Sequence, residues 1–171
     1  MPAFELTNIS KRFGPAAVLD GVGLSAESGV VHALIGENRA SKSTLMRILS
    51  GVLRPDRGWM ELDGKLYSPV NPDSGRRAGV SMIYQELTLA PHLTAAENIV
   101  LGRETSRLGW VSSSIRQRIA ERVLAQLGHE TLPLDKPVAS LTTAEQQIVE
   151  IARALAGDPR ILILDEPTPA A

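Results

Sequence analysis

Val30-Val31-His32-Ala33-Leu34-Ile35-Gly36-Glu37-Asn38-Arg39-Ala40-Ser41-Lys42-Ser43-Thr44-Leu45 is the stretch that decides the reading of this chain. It opens with a near-continuous apolar run closed by glycine, the pattern of a strand buried on both faces. From Ser43 to Ser50 the apolar positions take helical spacing, with Leu45, Ile48 and Leu49 on one side and Gly51 as the stop. Between the two lies a loop that meets the template G-x-x-x-x-G-K-[ST] at Gly36, Lys42 and Ser43 and departs from it at Ser41, where glycine belongs. Such a loop curls so that successive backbone N–H groups and a helix N-terminus face a polyphosphate. Lysine adds a point charge at the β- and γ-phosphates, and the hydroxyl of Ser43 suits Mg²⁺. A glycine beside the lysine keeps Cβ clear of the phosphate. If that position needs a left-handed backbone, Ser41 costs about 1–2 kcal/mol. Arg39 adds bulk and charge at a variable position of the template. The alternative is a plain strand–turn–helix in which Lys42 is an exposed first-turn residue.

Two further apolar runs, Gly79 to Tyr84 and Ile161 to Leu164, have the same character, and buried runs interleaved with helical patterns predict a mostly parallel sheet covered by helices. Asp165 and Glu166 follow the last run, at the carboxyl end of a buried strand, where ligands sit in open α/β sheets. Asp165 there can hold Mg²⁺ through its water shell, and Glu166 can act as general base on a water. An isolated Asp-Glu before Pro167 is more commonly a solvated turn; Lys42 upstream favours the metal site. Earlier, Phe4 to Ile9, Val18 to Leu24 and Gly58 to Leu62 read as strands, the last ending in the hairpin dipeptide Asp63-Gly64. Arg54 to Gly58 and Ser68 to Gly75 read as surface loops. Ser114 to Leu127 has helical spacing with Gly128 at its end. Thr142-Thr143-Ala144-Glu145 fits a capping box that opens a helix with the stripe Ile148, Val149, Ile151, Ala152, Leu155.

The 171 residues suit one well-cored domain, 43% of them apolar and 22% charged, as in ordinary soluble proteins. A formal charge of -1 argues against a chain that coats nucleic acid or anionic lipid. Cysteine is absent, which excludes disulfides, thiolate metal sites and thiol nucleophiles. The start does not read as a signal peptide, and no apolar run is long enough to span a bilayer, so a cytoplasmic domain is expected.

From Phe4 to Thr168 the sequence resembles the nucleotide-binding domain of ABC transporters. The resemblance runs through Ile9 to Gly14, His32 to Asn38, Lys42 to Leu45, Tyr84-Gln85-Glu86-Leu87 and Leu164 to Thr168. The wording HALIGEN, YQELTL, AENIVLGRE and QQIVEIARAL is similar to the monosaccharide-importer branch, of ribose and galactose type. It implies an α/β, P-loop NTPase-like fold with an N-terminal antiparallel β subdomain and a helical insertion, truncated at the C-terminus. The expected parts are a β subdomain and phosphate-loop core over 1–93, a helical subdomain over 94–156 and the strand of the second acidic motif over 157–171.

The resemblance assigns ATP and Mg²⁺ as cofactors and gives the residues roles. Phe13 matches the aromatic that stacks on adenine, with a core residue beside a strand as the alternative. Gly36, Glu37, Asn38, Arg39, Ala40, Ser41, Lys42, Ser43 and Thr44 form the phosphate loop. Gln85 matches the glutamine that contacts Mg²⁺ and γ-phosphate, and Glu166 the catalytic carboxylate, with Ser43 and Asp165 completing the metal set. Leu141, Thr142, Thr143, Ala144 and Glu145 occupy the signature motif that clamps ATP on an opposite domain, with Thr143 and Ala144 in place of its glycines. The later aspartate-bearing loop and γ-phosphate histidine are not matched, since His32, His92 and His129 all precede Asp165.

The implied partners are a second nucleotide-binding domain (tandem or homodimeric), membrane permease subunits and, indirectly, a periplasmic or extracellular sugar-binding protein, with no nucleic acid. The implied location is peripheral, on the cytoplasmic side of the plasma membrane. Two functions stay open on the residues: an ATPase that drives sugar import, and a degenerate nucleotide-binding or interaction module without hydrolysis. A soluble relative acting on ribosomes or DNA finds no basic excess to support it.

Overall fold

The computed structural model describes residues 2–36, 39–102 and 113–165. It divides into two compact units, Met1–Val80 and Ser81–Ala171.

The first unit is built on two long antiparallel strands, β1 (Pro2–Phe13) and β2 (Ala16–Glu27). Alternation in the sequence is weak here because the pairing is broken by bulges. The register shifts between Leu6 and Ile9 and again between Ile9 and Lys11, and Asn8 takes a positive φ of 53°. Each bulge moves the side-chain alternation by one position, so a strict period of two undercounts both strands. β3 (Arg57–Leu62) pairs with the other edge of β1, and β4 (Lys65–Leu66) completes the order β2-β1-β3-β4. The hairpin between β3 and β4 turns at Asp63-Gly64, where φ is 48° and 71°, as that dipeptide predicts.

Helix α1 (Arg39–Leu49) packs on β2. Leu45, Ile48 and Leu49 are buried on α1, while Leu6, Ile9, Leu19 and Met60 are buried on the sheet. α1 begins four residues earlier than the pattern predicts. Arg and Ala are strong helix formers, and without glycine at 39 or 41 nothing stops the helix from extending into the loop. A short helix that the sequence reading assigned to a loop, α2 (Pro72–Arg77), follows β4. Asn71 caps it by accepting from the Ser74 N–H at 2.9 Å, and Pro72 occupies the first turn.

The run 30–35 is not a strand. Residues 30–36 have no regular structure, and Val31 is 97% exposed and Ile35 93% exposed. A continuous apolar run states what surroundings a strand needs, namely neighbours on both edges and cover on both faces. Among the described residues no strand pairs with this one.

In the second unit, β5 (Val80–Ile83) and β6 (Ile161–Leu164) join in a parallel sheet, so the other two predicted apolar runs do meet. β5 is largely buried. β6 is covered on one side only, Ile163 being buried and Leu164 54% exposed, against the expectation of burial on both faces. Helices α3 (Ala95–Val100), α4 (Ser113–Gln126) and α5 (Thr143–Leu155) pack around Ile99, Val123, Leu124 and Val149. Burying each such side chain contributes about 1.5–3 kcal/mol. α3 went unread in the sequence; Thr94 and Glu97 form its capping box. α5 starts where predicted, with Thr142 as N-cap.

Candidate functional site

The first unit carries the phosphate loop. Lys42 lies in the first turns of α1, and its Nζ donates to the carbonyl oxygen of Gly36, so the ammonium reaches back across the loop. Ser41 and Ser43 are half-buried and Thr44 is buried, while Ala40 is exposed. Ser41 has helical backbone and carries none of the left-handed strain the sequence made conditional. Glu37 and Asn38 lie outside the described residues, and Arg39 opens the helix. α1 has no acidic residue in its first turn. A lysine ammonium, hydroxyls and helix-start amides form a donor set that fits a polyanion.

At the end of β1, Phe13 is 47% exposed, which removes the core alternative for this residue. Lys11 Nζ stands 5.9 Å from the ring centroid, within cation–π range. The same ammonium donates to Asp56 Oδ1 at 2.8 Å, and the Arg12 N–H donates to Asp56 Oδ2 at 2.8 Å. These two bonds hold the Asp56 carboxyl below its ordinary value. The strand end bearing Phe13 is thereby tied to the turn before β3, with part of the ring left open to a planar partner.

The second unit carries the acidic elements. The Asp165 N–H donates to the Ile83 carbonyl oxygen at 3.1 Å, continuing the β5–β6 pairing by one residue. Gln85 is exposed, two residues beyond Ile83. Gln85 and Asp165 thus lie just beyond the ends of neighbouring strands. Glu166 lies outside the described residues. Among the described residues no cluster of three or more His, Cys, Asp or Glu side chains could hold a metal alone. A divalent ion carried with phosphate oxygens needs only one or two protein ligands.

At 141–145, Leu141 is buried in the helical core, and Thr142, Thr143 and Ala144 are exposed. Thr142 Oγ1 accepts from the Glu145 N–H at 3.3 Å, and Glu145 Oε2 accepts from the Thr142 N–H at 2.8 Å. The N–H and hydroxyl of Thr142 hold the Glu145 carboxyl below its ordinary value.

The model of the ABC transporter family matches residues 19–169. The chain belongs to that family. Among its relatives, the ribose import ATP-binding protein RbsA 3 of Rubrobacter xylanophilus is 48% identical over 167 residues, 98% of this chain and 34% of the relative. The RbsA protein of Yersinia pestis is 48% identical over 170 residues, 99% of this chain and 33% of the relative. The chain thus spans about a third of the length of the curated relatives it matches. A crystal structure of the ADP conformation of an ATP-binding cassette superposes with a TM-score of 0.85 at 28% identity, covering 100% of this chain and 71% of that one. A nucleotide-free cassette gives 0.84 at 27% identity, again with 100% and 71% covered. The ABC fold class is therefore that of this chain.

Sequence reasoning passed over Glu150, Thr88, Arg153 and Asn98. The Asn98 amide, fully buried, donates to the carbonyls of Ala90, Leu93 and Thr94 at 3.0, 3.2 and 3.1 Å. Glu150 interrupts the apolar stripe of α5 between Val149 and Ile151, and that interruption is the signal that could have found it.

Proposed function

We propose that this chain forms the ATP-binding portion of a subunit that powers an ABC-type carbohydrate importer from the cytoplasmic face of a membrane. The observation that carries this reading is Lys42: its ammonium folds over the Gly36 carbonyl at an acid-free helix start, in a chain nearly half identical to ribose import ATP-binding proteins. In this reading Gly36 to Thr44 cradle the phosphates, with Lys42 holding the β- and γ-oxygens and Ser43 presenting its hydroxyl to the metal. Phe13 stacks on the adenine. Gln85 and Asp165 orient the metal and the γ-phosphate, and Glu166 takes the proton of the attacking water at its carboxylate. Mg²⁺, when bound, would supply neutralising charge to the phosphates.

Thr142 to Glu145 serve the partner's nucleotide rather than the chain's own, so the working unit pairs this domain with a second one. Membrane permease subunits, fed by a sugar-binding protein, receive the resulting motion. The division into a β and phosphate-loop part (1–93), a helical part (94–156) and an acidic strand (157–171) belongs to the same proposal. No helix among the described residues is long and apolar enough to cross a membrane.

A second reading, nucleotide binding without hydrolysis, is favoured by one observation: α1 runs back to Arg39 and takes Ser41 into its first turn. That geometry leaves fewer loop amides to wrap a triphosphate. Assaying phosphate release by the purified chain tests the non-hydrolytic reading. Little or no turnover alongside measurable ATP binding is the expected result. Robust turnover that Glu166→Gln abolishes would overturn the non-hydrolytic reading. Co-purification with RNA instead of a polytopic membrane protein would overturn the importer assignment.

A further inference from the structure

The loop after β5 is held at three points, and the middle one is a buried carboxylate with no role in the mechanism above. Thr88 Oγ1 donates to Glu150 Oε1 at 2.8 Å. Arg153 Nη1 donates to the Thr88 carbonyl at 3.0 Å and lies 3.4 Å from its hydroxyl. Arg153 also faces the second carboxylate oxygen of Glu150 at 3.9 Å. That oxygen accepts no hydrogen bond among the described residues, although Glu150 is only 6% exposed. On packing grounds alone an aliphatic residue would serve better here, because a buried charge loses its hydration. What the carboxylate obtains is a grip on Thr88, 62 residues away in sequence.

The grip bears on Gln85. Upstream, the Ile83 carbonyl is fixed by the Asp165 N–H at 3.1 Å. Downstream, the Ala90 N–H donates to Asn98 Oδ1 at 2.8 Å. Within the span from Ile83 to Ala90, Leu89 packs against the helical core, and the Thr88 anchor adds a hydrogen-bonded point nearer to Gln85. With it, Gln85 sits between fixed points two residues before it and three after it. From this placement we infer that Glu150, with Arg153, is a positioning residue: it locks Thr88 and thereby sets the backbone from which Gln85 projects. Because α5 also carries the capped turn at Thr142, the same grip makes the Gln85 loop and the start of that helix one hydrogen-bonded body. The role assigned to Gln85 rests on the function proposed above; the grip on the loop does not.

Cleavage by a glutamate-specific protease tests it on the full chain. Glu86 lies exposed inside the gripped span, and Glu130, exposed in a turn after α4, serves as an internal control. When opening is fast relative to cutting, cleavage reports the open population. Losing a hydrogen bond to a charged group should raise that population about tenfold. Thr88→Val and Glu150→Ala are expected to speed cleavage after Glu86 about tenfold and leave Glu130 unchanged, and Thr88→Ser, which keeps the hydroxyl, to behave as the parent. Thr88→Val guards against misfolding of the core variant, since Thr88 is exposed. Unchanged cleavage after Glu86, or equal acceleration at both sites, overturns the inference. ATP titrations with and without Mg²⁺ then address Gln85. A smaller magnesium-dependent gain in Thr88→Val supports its positioning, and an undiminished gain despite faster cleavage overturns it. If the parent chain takes up no ATP, the proposed function fails, while the protease result still decides the grip.

Discussion

The Asp165 N–H and the Ile83 carbonyl oxygen meet at 3.1 Å, one residue past the end of β6. The pairing uses the Asp165 backbone and places this residue beside the segment that leads to Gln85. Strand ends set this arrangement: β5 and β6 are neighbours in one sheet, and the backbone contact joins them where they finish.

Asp165→Asn should therefore leave the sheet intact and weaken the metal-dependent part of nucleotide binding. We expect the magnesium-dependent gain in ATP affinity to fall about tenfold, the loss of one charge-assisted contact, with the thermal midpoint nearly unchanged. Titration calorimetry with and without Mg²⁺, paired with thermal melts, checks both halves.

Returning glycine to the loop should reverse the extension of α1. Arg39→Gly with Ser41→Gly costs about 1 kcal/mol of helix propensity per site and should unwind the first turn. Circular dichroism should show about one turn less helix while ATP binds more tightly. Unchanged affinity would mean that the glycines do not limit phosphate binding.

Acid should loosen the helical unit through its capping boxes. The Thr94 N–H holds the Glu97 carboxyl below its ordinary 4.5, and the Thr142 N–H does the same for Glu145. With the folded-state value depressed, the folded chain binds fewer protons than the unfolded one below about pH 4.5. Stability from these groups is full above that pH and is lost as pH falls through the folded-state values. Urea midpoints measured from pH 6 to pH 3 should decline, and Glu97→Gln with Glu145→Gln should flatten the decline.

The C-terminal end of α1 is gripped by the segment after β4. A Cβ on Gly75 would fall 2.5 Å from the Ser50 carbonyl oxygen, and the Tyr67 hydroxyl donates to the Leu49 carbonyl at 2.8 Å. Burial pushes the Tyr67 phenol up to about 12. Gly75→Ala should cost about 1–3 kcal/mol by overpacking, and Tyr67→Phe about 1 kcal/mol through the lost hydrogen bond. Denaturant midpoints at constant slope are the check.

Much of this was legible in the residues because each signal was local. Asp63-Gly64 specified its hairpin, Thr142 and Glu145 their cap, and Gly51 the end of α1. The runs at 80–83 and 161–164 found each other because both kept a partner. The run at 30–35 did not, since hydrophobicity describes a demand for cover that the described strands do not meet. α2 was missed because Asn71-Pro72 reads as a turn when it is also an N-cap followed by a helix-compatible proline. Glu150 was hidden for another reason: its partner lies 62 residues away, and no spacing rule reaches that far.

Direct ATP binding by the 171-residue chain tests the central claim most simply. Calorimetric titration with ATP and Mg²⁺ should give a saturable signal that Lys42→Ala abolishes, while Lys65→Ala, on the exposed strand β4, leaves it intact. No signal, or one that survives Lys42→Ala, would contradict a phosphate site at Gly36 to Thr44.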